Sequence, residues 1–288
     1  MTEIIHDPAA LRRRCDGARA SGRTVGLVPT MGALHAGHLA LVDQARERGA
    51  DFVVVTLFVN PKQFGPGEDF ERYPRTLDTD RDACRACGVD VLFAPPVDAV
   101  YPAGFQTHVE VEELTQPFEG AHRPGHFRGV TTVVTKLLLL AAPCTAVFGR
   151  KDYQQWKVID RMARDLFIPV DIVGMPTVRE PDGLALSSRN RYLEPDQRER
   201  ALGLVRGLRA AAGAWARGER DPDLLRRLAR APVEAAFDRV DYVDVADPET
   251  LAPLRGPSAT DRAVVLMAAH LGTTRLIDNL VLGEEPIP

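Results

Sequence analysis

The chain has 288 residues, about two average domains at roughly 150 residues each. Its 45% hydrophobic and 26% charged content describes folded rather than disordered protein. With 36 basic and 40 acidic side chains the net charge is −4, so no overall cationic field exists to hold nucleic acid or an anionic membrane, and the expected partners are small molecules. The longest unbroken apolar run, Leu137 to Cys144, contains Pro143 and falls far short of the ~20 residues that span a bilayer. Residues Met1 to Asp7 carry neither a basic nor an apolar signal region, so a cytoplasmic location is expected.

In chain order, Asp7 followed by Pro8 reads as the cap and first residue of a helix. Apolar, β-rich runs then follow at Thr24 to Val28, Phe52 to Phe58, Val89 to Phe93, Thr145 to Phe148 and Val170 to Val173. Helical segments alternate with them at Ala36 to Arg48, Thr76 to Cys87 and Tyr153 to Phe167. This is the pattern of βαβ units, and it predicts a doubly wound α/β domain with a mostly parallel sheet. In such sheets ligands lie beyond the carboxyl ends of the strands, which directs attention to the loops after Val28, Phe58 and Phe148. After Arg179 the texture changes to Ala/Leu/Arg-rich helical stretches, Pro195 to Arg217 and Pro222 to Ala231. Strands are expected around Val240 to Val245, Ala263 to His270 and Arg275 to Leu280. The division predicted is a domain of residues 1–178 and a smaller α+β domain of residues 179–288, with the stretch Gly174 to Gly183 as hinge.

Four cysteines give no disulfide framework. Cys84 and Cys87 have metal or redox spacing, yet no second pair accompanies them, and they read as reduced thiols at a helix end. Only four of the 36 basic residues are lysines, Lys62, Lys136, Lys151 and Lys157, which makes each a candidate for a place that requires a compact ammonium, although biased codon usage would leave the same pattern. A Walker A loop, HExxH, GxGxxG and GxSxG are all missing, so a nucleotide would have to be held by another device.

That device is the stretch Pro29-Thr30-Met31-Gly32-Ala33-Leu34-His35-Ala36-Gly37-His38, placed directly after the first expected strand and running into a helix. Two imidazoles three residues apart share a face of the first turn, beside backbone N–H groups at the positive end of the helix dipole. His35 and His38 would then donate to charge building on an α-phosphate, with no protein nucleophile required. On spacing alone, two histidines that merely cap a helix fit as well.

A second strand-to-helix corner is Phe148-Gly149-Arg150-Lys151-Asp152-Tyr153-Gln154-Gln155. Lys151 would neutralise phosphate, Asp152 take a ribose hydroxyl, and Gln155 reach a polar substrate, although Lys151 and Asp152 also suit a solvated first turn. In Leu186-Ser187-Ser188-Arg189-Asn190, two hydroxyls and a guanidinium suit a loop closing over a triphosphate; an ordinary capping linker would look similar. Asn60 and Gln63 in Phe58-Val59-Asn60-Pro61-Lys62-Gln63-Phe64, with Tyr73 downstream, offer polar groups to a small hydroxy acid. Asn60-Pro61 would equally start a turn. Arg123 lies between His122 and His126, a spacing that Pro124 and Gly125 exclude from a regular helix, and is a candidate carboxylate contact.

Together these motifs resemble those of the pantothenate synthetase family, the pantoate:β-alanine ligases of the cytidylyltransferase-like superfamily with the HxGH motif, over nearly the whole chain. The resemblance implies a Rossmann-like first domain, a C-terminal lid, a homodimer formed through the first domain, and ATP with Mg²⁺. It implies adenylation of pantoate with loss of pyrophosphate, then attack of β-alanine to give pantothenate and AMP. The family's ATP segment matches Met31, Gly32, Ala33, Leu34, His35, Ala36, Gly37 and His38, and the His38 position is described there as a proton donor. Gly149, Arg150, Lys151, Asp152, Val178, Leu186, Ser187, Ser188 and Arg189 match further ATP contacts. Gln63 matches a position serving pantoate and β-alanine, and Gln155 one holding pantoate. One position departs: Arg150 stands where the family commonly has an acid.

Overall fold

A computed structural model describes residues 2–256 and 261–288. The chain forms β1 (Glu3–Ile5), α1 (Pro8–Ala20), β2 (Val25–Thr30), α2 (Ala36–Glu47), β3 (Phe52–Leu57), α3 (Leu77–Ala86) and β4 (Val91–Phe93). Two short helices, α4 (Val97–Val100) and α5 (Glu119–His122), precede α6 (His126–Ala141), β5 (Cys144–Gly149), α7 (Tyr153–Asp165) and β6 (Val170–Met175). The remainder is α8 (Pro195–Arg200), α9 (Leu202–Ala216), α10 (Pro222–Ala236), β7 (Arg239–Ala246), β8 (Ala263–Leu271) and β9 (Thr274–Leu282).

Two compact units result. The first takes residues up to Arg150 together with Gln155–Met175; the second takes Lys151–Gln154 with Pro176–Pro288. In the first, six parallel strands run in the order β1-β4-β3-β2-β5-β6. Its strands read as unbroken apolar runs because both faces are covered. Along β3, Phe52 and Val54 join the core that includes Leu11 of α1 and Leu138 of α6, while Val53 and Val55 join the core of Leu41 and Val42 on α2. The Asp7 carboxylate accepts the Ala10 N–H at 2.7 Å and Pro8 opens the helix, as the capping signal predicts.

Helix α6 is the element that periodicity did not reveal. Twelve of its 16 residues are buried, so there is no polar stripe to set a 3.6-residue rhythm, and its Val and Thr content imitates a strand. Strand β1 is only three residues long, too short for alternation to register.

In the second unit, the antiparallel sheet β7-β8-β9 packs alternate residues of β8 (Val265, Met267, Ala269) against Leu204 and Leu208 of α9 and Leu225 and Val233 of α10. The stretch read as one helix from Pro195 is divided at Ala201 into α8 and α9. Lys151–Gln154, assigned from the sequence to the first domain, cluster with this unit because its loops grip them. The Asn279 amide donates to the Lys151 carbonyl at 2.7 Å, and the Tyr153 hydroxyl donates to the Pro248 carbonyl at 3.0 Å.

All four cysteines are free thiols, and burial pushes Cys84 up to about 12. Among the described residues no helix is long and apolar enough to cross a membrane.

Candidate active site

Strand order locates the crevice. From β2 the chain proceeds outward through β3 to β4, and on the other side of β2 it proceeds from β5 to β6, so the topological switch lies between the carboxyl ends of β2 and β5. The loop from Met31 to His35 leaves one of those ends and Gly149 closes the other.

The β2 corner is built by hydrogen bonds that fix its backbone. Thr30 Oγ1 donates to the Thr56 carbonyl at 2.6 Å and accepts the Gly32 N–H at 3.1 Å. Gly32 (φ +87°) and Ala33 (φ +52°) are both left-handed. The N–H groups of Ala33 and Leu34 donate at 3.0 and 2.8 Å to the two carboxylate oxygens of Asp80, a residue of α3 that is 2% exposed. The Thr76 hydroxyl donates to the same carboxylate at 3.1 Å. A Cβ at position 32 would stand 3.2 Å from Asp80 Oδ2 in a left-handed conformation, which is why glycine occupies it.

His35 then caps α2. Its Nδ1 accepts the Gly37 N–H at 3.2 Å, His38 Nδ1 accepts the His35 N–H at 3.4 Å, and the two rings lie 4.1 Å apart between centroids. An Nδ1 that accepts carries no proton, so each neutral ring is an Nε2–H donor. Asp80 and the two imidazoles thus accept four backbone N–H groups of the corner, those of Ala33, Leu34 and His35 ahead of α2 and that of Gly37 in its first turn.

Gln63 is tied to this corner. Its Nε2 donates to Met31 Sδ at 3.1 Å, and its Oε1 accepts from Asn60 Nδ2 at 3.0 Å. Asn60, 1% exposed, also donates to the Gly129 carbonyl at 3.1 Å and accepts the Tyr101 hydroxyl at 2.8 Å. Asn60 thus braces the turn that carries Gln63. Tyr73 is buried with its ring edge-on to Phe64, centroids 6.0 Å apart. Arg123 holds Glu68 through a two-pronged pair at 2.8 and 2.7 Å. Gln155 lies half-buried on α7. Arg150, the departure from the family pattern, donates from Nε to the Gly174 carbonyl at 3.1 Å and lies 4.9 Å over the Trp156 ring.

The remaining predicted residues sit together on the second unit. Lys151 is held there through its carbonyl by Asn279, and Asp152 belongs to the same unit. The Leu186 N–H donates to the Val178 carbonyl at 2.9 Å, closing a hairpin whose Arg179 forms a bidentate pair with buried Asp278 at 2.8 and 2.9 Å. Ser187 Oγ accepts the Arg189 N–H at 3.2 Å and caps the 3-10 turn Ser188–Tyr192. Asn190 fastens that turn to Glu180 at 3.0 Å and to the Ala185 carbonyl at 3.1 Å.

Lysine scarcity proves a mixed signal: Lys62 and Lys136 both lie over the Tyr101 ring, at 5.2 and 4.9 Å, as cation–π seats. Sequence reasoning missed Asp80, Asp278 and Asn279. Carboxylates and amides in helices and strands read as solvated faces, and no local spacing marks the partner they reach across the fold.

His126, 8% exposed, is held at about 4 by burial first and by the Arg123 charge second, against the opposing pull of the Gln63 carbonyl, Glu119 and Glu68. The folded ring therefore stays neutral where the unfolded one takes a proton. Stability should fall as pH drops from 6.5 towards 4, by an amount on the order of 3 kcal/mol for this group, then level off. Urea melts at pH 7 and pH 4.5 should show that loss in the native sequence and a smaller one in His126→Asn. Asp80→Asn replaces one carboxylate oxygen with an amide NH2 group, itself a donor, facing an N–H donor. It should cost about 1–3 kcal/mol in the same melts at neutral pH and slow turnover, whereas unchanged stability and rate would remove Asp80 from the account.

Comparison with known proteins gives the family of the chain. A model of the family described as pantoate-beta-alanine ligase matches residues 3–281. The pantothenate synthetase of Geobacter sulfurreducens is 53% identical over 283 residues, 98% of this chain and 99% of that one. The pantothenate synthetase of Anaeromyxobacter dehalogenans is 54% identical over 96% of this chain and 97% of its own. Among solved structures, the pantothenate synthetase of Thermus thermophilus is similar at a TM-score of 0.89 and 49% identity, covering 97% of this chain and 99% of that one. The Francisella tularensis pantoate-beta-alanine ligase, crystallised with "Beta-gamma ATP" and β-alanine, matches at a TM-score of 0.79 and 32% identity over 100% of both chains. A family model spanning almost the whole sequence, and relatives at half identity over their full lengths, place the chain in the pantoate-beta-alanine ligase family.

Proposed function

We propose that this chain condenses pantoate with β-alanine at the expense of ATP, through a pantoyl-adenylate. The observation that carries the reading is the pair of Nε2–H imidazole donors at the switch-point corner, with Gln63 bonded to Met31 beside them. A pantoate carboxylate oxygen attacks the α-phosphorus of ATP, the α–β bridging bond breaks, and pyrophosphate leaves. The β-alanine amine then attacks the acyl carbon, loses a proton, and AMP departs with the former carboxylate oxygen.

His35 and His38 donate to the non-bridging oxygens on which charge accumulates during the first step. We read His38 as a hydrogen-bond donor rather than a proton-transfer acid, since pyrophosphate leaves without needing protonation. The backbone of Met31 to Gly37 and Gly149 shapes the nucleotide seat. Lys151, Ser187, Ser188 and Arg189 are assigned to the departing phosphates, Asp152 to the ribose, and Val178 and Leu186 to further nucleotide contacts. Gln63 and Gln155 orient pantoate, and Gln63 then serves β-alanine.

Mg²⁺ enters as part of the Mg–ATP substrate. Among the described residues no three His, Cys, Asp or Glu side chains converge into a metal site, and magnesium ordinarily uses phosphates, waters and only one or two carboxylates. A homodimer through the first unit, acting in the cytoplasm, is the arrangement that the resemblance implies and is part of this proposal.

Pantoate-dependent exchange of labelled pyrophosphate into ATP, without β-alanine, tests the adenylate directly. The enzyme should catalyse it, and adding β-alanine should yield AMP and the amide in equal amounts. His38→Ala should lower exchange by about 10²-fold or more while ATP affinity changes by less than about threefold. Equal losses in both would remove the transition-state role, and absence of exchange in the native enzyme would overturn the proposed chemistry.

A further inference from the structure

The Gln63 side chain handles substrate in the function proposed above, and its backbone is held by a relay that starts at a salt bridge. The Gln63 carbonyl accepts from His126 Nδ1 at 2.8 Å and from Arg123 NH2 at 3.3 Å. A ring nitrogen facing a carbonyl must carry the proton, so His126 is the Nδ1–H tautomer and its Nε2 accepts from Arg123 NH1, 3.0 Å away. This tautomer is the reverse of the one fixed at His35 and His38.

Arg123 is itself locked. Its Nε and NH2 donate to the two oxygens of Glu68 at 2.8 and 2.7 Å, with Glu119 at 3.6 Å from NH1. The guanidinium is 16% exposed and already holds a carboxylate, that of Glu68. Its expected partner, a substrate carboxylate, would have to displace that internal one.

The turn has little room to move. A Cβ at Gly129 of α6 would stand 2.2 Å from the Lys62 carbonyl oxygen and 2.7 Å from the Gln63 nitrogen, so the helix backbone lies directly against the turn. Asn60 bonds that same helix at the Gly129 carbonyl and the Gln63 amide at its oxygen. Backbone contact, amide brace and the Arg123–His126 relay therefore converge on one residue.

We propose that Arg123 is a positioning residue for the ligase reaction: clamped by Glu68, it acts through His126 and the Gln63 carbonyl to hold the Gln63 amide in place, and does not itself bind the substrate carboxylate. This rests on the assignment of Gln63 to pantoate and β-alanine. Lysine at position 123 keeps the charge and can still pair with Glu68, but one ammonium cannot reproduce the fork that reaches Glu68, His126 and the carbonyl together.

The test is steady-state kinetics on Arg123→Lys, Gln63→Ala and the double variant, with thermal melts to verify folding. Arg123→Lys should raise KM for pantoate and β-alanine about tenfold and leave KM for ATP within about twofold. In the Gln63→Ala background the same change should add less than about twofold, because the side chain it positions is gone. Glu68→Gln, a milder change at a partly exposed residue, should move the same constants in the same direction and serves if Arg123→Lys does not fold. The proposal is overturned if Arg123→Lys behaves as the native enzyme while Gln63→Ala is impaired; the Gln63 assignment then stands alone. It is also overturned if the Arg123→Lys effect is equally large in both backgrounds, which is the signature of direct substrate contact or general damage. If Gln63→Ala is harmless, the Gln63 assignment falls and this inference with it.

Discussion

The site depends on one interaction: the buried Asp80 carboxylate accepting two consecutive backbone N–H groups from a left-handed corner. Backbone at positive φ is unfavourable for Ala33, and polar groups removed from water cost free energy unless they are bonded. Asp80 satisfies both donors at once and holds the segment that leads into the His35 cap of the following helix. From that cap everything chemical follows. Each imidazole spends Nδ1 on the backbone, so each is left with its proton on Nε2, and the tautomer is set before any nucleotide arrives.

The same economy recurs around the residues proposed to meet substrate. Gln63 is useful only if its amide is held, and it is held by Asn60, Met31, the backbone of α6 and the Arg123–His126 relay. In the second unit, Asp278 and Asn279 of β9 do comparable service. One pins the hairpin leading to Ser187–Arg189, and the other pins the Lys151 carbonyl. Each group of proposed ATP contacts is thus preorganised within its own unit, where ordering costs are met by folding rather than by substrate binding.

Much of this was legible in the sequence. Buried strands such as Phe52 to Leu57 announce themselves as β-branched runs, and Pro8 after Asp7 or Gly49 after Arg48 mark helix ends by local chemistry. The motif residues were legible because their order along the chain carries the strand-to-helix corner with it. What stayed hidden was long-range. Asp80 lies 46 residues beyond Leu34 and Asn279 lies 128 beyond Lys151, and nothing local distinguishes such side chains from solvated ones. Arg123 was read from its residue type as a carboxylate contact, and the carboxylate it meets within the fold is that of Glu68. Helix α6 was hidden because a helix buried on most sides has no period to read.

The central claim is that the corner fixes His35 and His38 as Nε2–H tautomers through backbone donors. Nitrogen NMR of imidazole-labelled protein near pH 8, with His35 and His38 assigned by single substitution, measures this directly. The account predicts a pyridine-type Nδ1 and a pyrrole-type Nε2 in both rings, with the opposite pattern at His126. Nδ1-protonated or rapidly exchanging rings at positions 35 and 38 would contradict it.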